Sequence, residues 1–336
     1  MAVTVGQTIG EAEYTTLRTG INLVMGSPTG TGTSAAGYNL ATAAPAKSPG
    51  DKVQAADWNA LKADSDKAYT HQVGSALSPA LATVNTDSSI TKVIHDALET
   101  AINFVKTDAQ RFNLAAGQST TTSARSIGKT NWNGTQIHDV QFTWASANAA
   151  KAFFNAGGRL RIATTLSYSG SEAKTLDWGT MVADTSVIAI NYVNAYKETG
   201  TGGTISANDG YYDINATERE LYTRGGASPY SENRYRILAR AITNGLRIRV
   251  LYEDNDVGDQ TGTGAAVDEN VKGTLTSADV CTCYWSKCSS YSTNYFNRRH
   301  KYIHLTLDYY VFLVYTITVY TRSHNGRTTR KSIRVF

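Results

Sequence analysis

Apolar residues in this 336-residue chain change their spacing once, and that change restricts it to an α+β fold in which the helices come first. Leu17, Ile21, Val24 and Met25 recur at the spacing of one helix face, and Ile90, Val93, Ile94, Ala97, Leu98, Ala101, Ile102 and Val105 draw the strongest such stripe. From about Gly117 the grammar shifts to a spacing of two. Val140, Phe142 and Trp144, then Leu160, Ile162, Thr164 and Leu166, alternate with polar residues, as a strand does when one face is wet.

The expected architecture follows from this change. Residues 1–115 form a helical N-terminal region, 116–280 a β-rich, sandwich-like antiparallel domain with short helices, and 281–336 a tail of different composition. Helices are expected at 54–72, anchored by Trp58, and at 89–112, capped by Asp87 or Ser88. The Gly/Ser/Thr-rich stretch 26–50 reads as a loop or flexible arm. In the β region Ser146 can cap a short helix holding Phe153 and Phe154, which Gly157-Gly158 stops; a second short helix is expected at 172–182 and a strand at 187–196. Asn244-Gly245 between the strand-like runs 235–243 and 246–252 predicts a hairpin whose two turn residues both take positive φ. Leu246, Ile248, Val250 and Tyr252 then share one face, with Arg247, Arg249 and Leu251 on the other.

The formal charge of +4 comes from one end. Residues 281–336 hold nine Lys and Arg against Asp308 alone, which leaves the first 280 residues with a net of −4. No general phosphate-binding surface follows for 1–280, and no nucleic-acid partner is expected there. The same tail holds all three cysteines and eight of the twenty tyrosines, but one of the 28 glycines and no alanine. Because an encoded domain usually keeps both small residues, the tail reads as a shifted reading frame. One permitted spelling of residues 281–290, read one base later, gives Val-Arg-Ala-Thr-Gly-Ala-Asn-Val-Gln-Val, which restores them. No basic region followed by an apolar core opens the chain, so a secretory signal is not expected. The best span candidate, 302–320, is interrupted by His304 and Asp308 and reads as strand, so no membrane span is expected.

Candidate ligand sets are few. Asp254, Asp256 and Asp259 beside Gly258 could share a calcium ion, although the glycine is fifth where an EF-hand loop wants it sixth; a solvated turn is the plainer reading. Cys283-x4-Cys288-x11-His300-x3-His304 approaches the two-cysteine, two-histidine zinc pattern, with a short central spacer and Asn297 in place of the core leucine. Tyr211, Tyr212, Tyr222 and Tyr230, among Gly and Asn, suit a saccharide or protein contact surface, because tyrosine offers an apolar face and a polar tip; packing within a β domain is the plainer alternative. Gly30-Thr31-Gly32 lacks the Lys-Ser/Thr and the preceding strand of a phosphate loop, and His71, His95 and His138 each stand alone in sequence. The reading is of a chain with no cofactor and no catalytic set.

Asp57-Trp58-Asn59-Ala60-Leu61 with His71-Gln72, Arg111-Phe112-Asn113-Leu114 with Gly117-Gln118, and Phe153-Phe154-Asn155-Ala156-Gly157-Gly158-Arg159-Leu160-Arg161-Ile162 carry a resemblance. Asp268-Glu269 and Gly273-Thr274-Leu275-Thr276-Ser277 extend it. Over about residues 14–280 the chain resembles a group of virion structural proteins of tailed marine phages, particularly those infecting cyanobacteria. The Phe-Phe-Asn-x-Gly-Gly element is the most specific part. The resemblance implies a tail or tail-fibre-like component located in the virion, not an enzyme. Its implied partners are other virion proteins, further copies of itself and, as one task, a host-surface polysaccharide. Two alternatives stand beside it: a tail-associated polysaccharide-degrading enzyme, and a head decoration or neck protein. No catalytic residues carry over.

Overall fold

The computed structural model describes residues 10–86, 88–113, 119–126, 131–256, 258, 268–283, 291–295, 303–305, 315–322 and 328–335. It is α+β, with a helical N-terminal region followed by antiparallel sheets. The chain forms two compact units. One comprises residues up to Ser119 and also Lys151–Gly158, a segment that spacing alone assigns to the β-rich region.

In the first unit α1 (Glu11–Met25), α2 (Ala55–Val73) and α3 (Lys92–Val105) pack on one another, and a short α4 (Asp108–Arg111) follows. Most of their apolar stripes meet, with Tyr14, Leu17, Ile21, Trp58, Leu61, Leu98, Ile102 and Val105 buried together, but Val93 and Ala97 of the expected α3 stripe are exposed. Helix α3 is shorter at both ends than its pattern predicts. Thr91, not Asp87 or Ser88, caps it, its Oγ1 accepting from Ile94 N at 3.4 Å. At the other end Val105 O accepts a hydrogen bond from Gln72 Nε2 at 2.9 Å, so the side chain of α2 satisfies a carbonyl that a longer helix would use.

The stretch 26–50 is not a free arm. Tyr38 is fully buried; its hydroxyl donates to Arg111 O at 2.7 Å and accepts from Gln72 Nε2 at 2.9 Å. Asp64 on α2, also fully buried, accepts from Ala43 N and Ala44 N, each amide donating to Oδ2 at 2.8 and 3.0 Å. A carboxylate out of water needs such donors, and here the loop backbone supplies them. The Phe-Phe-Asn-x-Gly-Gly element serves the same unit. Phe153 and Phe154 are buried edge to face, and Asn155 Nδ2 donates to Ala36 O at 2.8 Å.

The second unit is built from two main sheets. Its strands are β1 (Ser119–Ser126), β2 (Asn131–Trp132), β3 (Gln136–Trp144), β4 (Arg159–Ser167), β5 (Val187–Ile190), β6 (Ala195–Lys197), β7 (Thr204–Ile205), β8 (Arg219–Gly225), β9 (Arg234–Ile242), β10 (Gly245–Glu253), β11 (Val271–Lys272), β12 (Thr274–Cys283), β13 (Tyr291–Tyr295), β14 (Ile303–Leu305), β15 (Tyr315–Arg322) and β16 (Thr328–Val335). Helix α5 (Ala147–Asn155) follows β3, and Ser146 Oγ accepts from Ala149 N as expected; α6 (Ala173–Thr185) follows β4. One sheet runs β1-β12-β4-β5-β6 and the other β14-β13-β3-β10-β9-β8-β7; β2-β11 and β15-β16 form two-stranded ladders. Strand β12 crosses the point where the composition changes, pairing Val280 with Arg161 and Cys281 with Leu160.

The expected hairpin is β9–β10, and its turn differs by one residue. Ile242 pairs with Gly245, so Thr243 and Asn244 form the turn and only Asn244 has positive φ, +56°. Gly245 is needed for a different reason: a Cβ there would lie 1.9 Å from Phe142 O on the neighbouring β3. The single strand expected at 187–196 is two. Asn191 Oδ1 accepts from both Val193 N and Asn194 N at 2.8 Å, and this side-chain turn folds β5 back onto β6.

The two sheets are joined through hydroxyls, and Ile162, Ile188, Ile237 and Ile248 on their strands are all fully buried. Thr164 Oγ1 on β4 lies 3.0 Å from Tyr235 Oη and 2.8 Å from Tyr252 Oη, so the five-stranded sheet is hydrogen-bonded to the seven-stranded one. Removing the Tyr38 hydroxyl in the first unit, by Tyr38→Phe, leaves Arg111 O without its donor while Gln72 keeps Val105 O. The expected outcome is a loss of about 1–2 kcal/mol in urea unfolding. An unchanged unfolding midpoint would count against this bond as a fastening of the loop.

Candidate functional site

The strongest concentration of buried charge among the described residues centres on Lys174, in the first turn of α6. Its side chain is fully buried beside Thr175 and Trp178. Its ammonium touches three carboxylates. Asp268 Oδ1 lies at 2.8 Å, Asp256 Oδ2 at 3.1 Å, and Asp254 presents Oδ1 at 3.1 Å and Oδ2 at 3.3 Å. Of the two Asp254 oxygens, Oδ2 has hydrogen-bond alignment and Oδ1 contributes proximity alone.

Two segments place the three acids. Asp254 directly follows β10, and Asn233 Oδ1 holds the next two residues by accepting from Asn255 N at 2.8 Å and Asp256 N at 3.0 Å. Asp268 precedes β11 and accepts from Asn133 Nδ2, just after β2. A helix N-terminus carries partial positive charge, so an ammonium there needs acids nearby and acids there are themselves favoured.

Desolvation would push the Lys174 ammonium down, but hydrogen bonds to Asp268, Asp256 and Asp254 more than reverse it and hold the group well above the ordinary lysine value. Desolvation raises Asp254, and its contacts with Lys174 only partly offset that. Asp268 is lowered, first by the Asn133 amide and then by Lys174. A lysine kept protonated has no lone pair for nucleophilic or Schiff-base chemistry. The arrangement therefore binds two chain segments, the one after β10 and the one before β11, to α6 electrostatically.

The sequence-expected residues fall as follows. Asp254 and Asp256 do converge, and the cation between them is Lys174 Nζ; Asp259 lies outside the described residues. Cys283 ends β12 and His304 lies in β14, while Cys288 and His300 lie outside the described residues. The four tyrosines do not form one surface. Tyr222 is fully buried, its hydroxyl donating to Gly202 O at 3.0 Å and lying 2.9 Å from Thr185 Oγ1, which corrects its assignment as a contact residue. Tyr211 and Tyr212 stack edge to face at 5.1 Å, and desolvation pushes the Tyr211 phenol up to about 12. Tyr230, partly exposed, reaches Glu269 Oε2 at 3.4 Å.

Sequence spacing missed Lys174, Asp268 and Asn133 altogether. A signal for the first was present: Lys174, Trp178, Met181, Val182 and Thr185 share a helix face, so a lysine was being carried into the core. His95 stands alone in sequence spacing, yet on α3 its ring nitrogen lies within 4.8 Å of carboxylate oxygens of Asp96 and Glu99. Asp96 there already pairs with Lys92, whose hydrogen bond is the first cause of its lowered pKa. No helix among the described residues is long and apolar enough to cross a membrane.

No family model, no curated protein and no solved structure matches the chain.

Lys174→Met should destabilise the second unit by about 3–5 kcal/mol in denaturant unfolding, because it leaves buried carboxylates uncompensated. Asp268 contributes stability that is present above its unfolded pKa of about 3.9 and lost as pH falls through its lower folded value. Asp254 has the opposite sign, since burial raises its pKa and protonation in acid relieves a cost. Asp268→Asn should therefore flatten the acid-side fall of the thermal midpoint. A fall as steep as in the wild type would show that Asp268 does not contribute through its charge.

Proposed function

We propose that the chain is a structural component of a tailed-phage virion, tail- or fibre-associated, which works by protein–protein assembly and host-surface attachment and not by catalysis. The reading rests on the sequence segments quoted above. The observation that carries it furthest is the most specific of them, Phe153–Gly158, in which the residue types have packing and backbone duties. Phe153 and Phe154 fill a core, Asn155 fastens two carbonyls, and Gly157 takes φ of +80°. At Gly158 a Cβ would meet Phe153 O at 2.5 Å.

The charges of the second unit fit the same reading. On the polar face of the seven-stranded sheet Arg247 Nε donates to Asp139 at 2.8 Å, Arg249 bridges Asp139 and Glu218, and Arg236 joins Glu220 to Glu253. These pairs are partly buried, with Asp139 buried, and they give the sheet face a mixed-sign pattern suited to a protein neighbour.

The polysaccharide-degrading alternative has one observation in its favour. Asp177 on α6 has a raised pKa, through desolvation first, as a general acid requires. Its Oδ1 already accepts from Ala227 N at 2.9 Å, and a hydrolase needs a second carboxyl at about 5–9.5 Å across the scissile bond. Mass spectrometry of purified particles tests the proposal: the protein is expected at several copies per particle. Expression in infected cells with absence from particles would remove it, and polysaccharide turnover abolished by Asp177→Asn would favour the enzyme.

A further inference from the structure

A groove of about 460 Å³ opens in the second unit between the end of β4 and the passage from β11 to β12. That size falls in the range of about 300–1,000 Å³ that small-ligand sites occupy. Its floor is set by Gly273. Lys272 belongs to β11, which pairs with β2, and Thr274 to β12, which pairs with β4, so the chain changes ladders at this one residue. Gly273 takes φ of +145°, and a Cβ on it would lie 2.8 Å from Ser167 O and 2.9 Å from Tyr168 Cβ. That φ and those contacts restrict the position to glycine.

The wall beside it carries an exposed aromatic ring. Tyr168 follows β4 and is 39% exposed although it is large and partly apolar. Gly179 of α6 lies against its ring: a methyl at Gly179 would come within 2.7 Å of Cε1 and 2.8 Å of the phenolic oxygen. The missing side chain lets the tip of the ring rest on the helix, and Tyr168 still lines the groove as an exposed residue. The exposed hydroxyls of Ser167 and Ser169, the amide of Asn131 and, partly exposed, the hydroxyl of Thr274 complete the rim.

We propose that this groove binds a neutral saccharide. A pyranose ring has an apolar C–H face and a periphery of hydroxyls, and the groove offers their complements: a supported aromatic platform beside short donors and acceptors. Neutrality follows from the charge of the described lining, in which Lys272 is the one cation. Lys272 Nζ is paired with Glu172 Oε1, so among the described residues an anionic ligand would have to compete with a carboxylate already in place, whereas a neutral one would not. Nucleotides, phosphates and uronic acids are disfavoured on the same ground. The inference stands on the groove and does not require the chain to reside in a particle, so its failure and that of the virion reading are separable.

The test is a glycan array carrying neutral and acidic oligosaccharides, probed with the whole chain, followed by calorimetric titration of the best neutral glycan. Wild type should retain neutral glycans saturably. Tyr168→Ala should weaken the titrated affinity by roughly tenfold, Tyr168→Phe should preserve most of it, and Asn131→Ala should weaken it severalfold. Asn131 is an exposed residue, so its variant keeps the test decisive if Tyr168→Ala fails to fold. Retention of no neutral glycan, retention of acidic glycans only, or affinity indifferent to both Tyr168→Ala and Asn131→Ala would overturn the proposal.

Discussion

An ammonium taken out of water must be answered where it stands, and in the second unit that requirement falls on Lys174. Transferring such a charge without partners costs several kcal/mol even after relaxation, so the three carboxylates around it are a condition of the fold. They come from the end of β10, from two residues beyond it and from the approach to β11, which means that α6 cannot seat its first turn until these separate segments arrive. The helix then presents Trp178 to Tyr252 and to Trp132, and its last residue, Thr185, to Tyr222. Tyr252 and Tyr235 in turn reach Thr164 on the opposite sheet. The polar seam between the sheets and the ion centre under the helix are thus parts of one connected network.

The same helix sets the surface. Gly179, one turn beyond Thr175, lets the Tyr168 ring lie close to the helix, and Thr175 Oγ1 accepts from Lys272 N at 3.0 Å at the edge of the groove. Displacing α6 would therefore disturb the aromatic platform and the β11–β12 passage together. Stability and the proposed saccharide contact share one support, although the residues that touch the ligand are distinct from the ion centre. On the virion reading, assembly needs a rigid unit with a patterned exterior, and burying the reactive groups in mutual contacts is one way to provide it.

What was legible in the sequence was periodic. The stripe from Ile90 to Val105 and the alternation of Val140, Phe142 and Trp144 depend on local geometry, and both became the expected elements. Ends and turns depended on partners far along the chain. Gln72 ends α3 from another helix, and Phe142 O dictates the glycine at 245 from another strand. The stretch 26–50 looked like a loose arm because small and polar residues fill it, yet Tyr38 and the backbone amides of Ala43 and Ala44 give it buried anchors that composition does not display. Lys174 escaped notice because a lysine is expected at the surface, and only its place among Thr175, Trp178 and Thr185 on a helix face marked it as buried. Tyr222 failed as a contact residue for the converse reason: it belongs to a strand whose inward positions include Leu221 and Tyr222, across the irregular register between Glu220 and Tyr222.

The central claim is that Lys174 is a protonated structural tie. Amine acylation of the native protein near neutral pH, followed by peptide mapping, tests it most directly, because the reagent needs both access and a neutral amine. Exposed Lys52 and Lys67 should label in the folded chain while Lys174 stays unmodified, becoming reactive only after denaturation. Preferential labelling of Lys174 in the native state would contradict the account, since it would reveal an accessible, deprotonated amine at the centre of the three carboxylates.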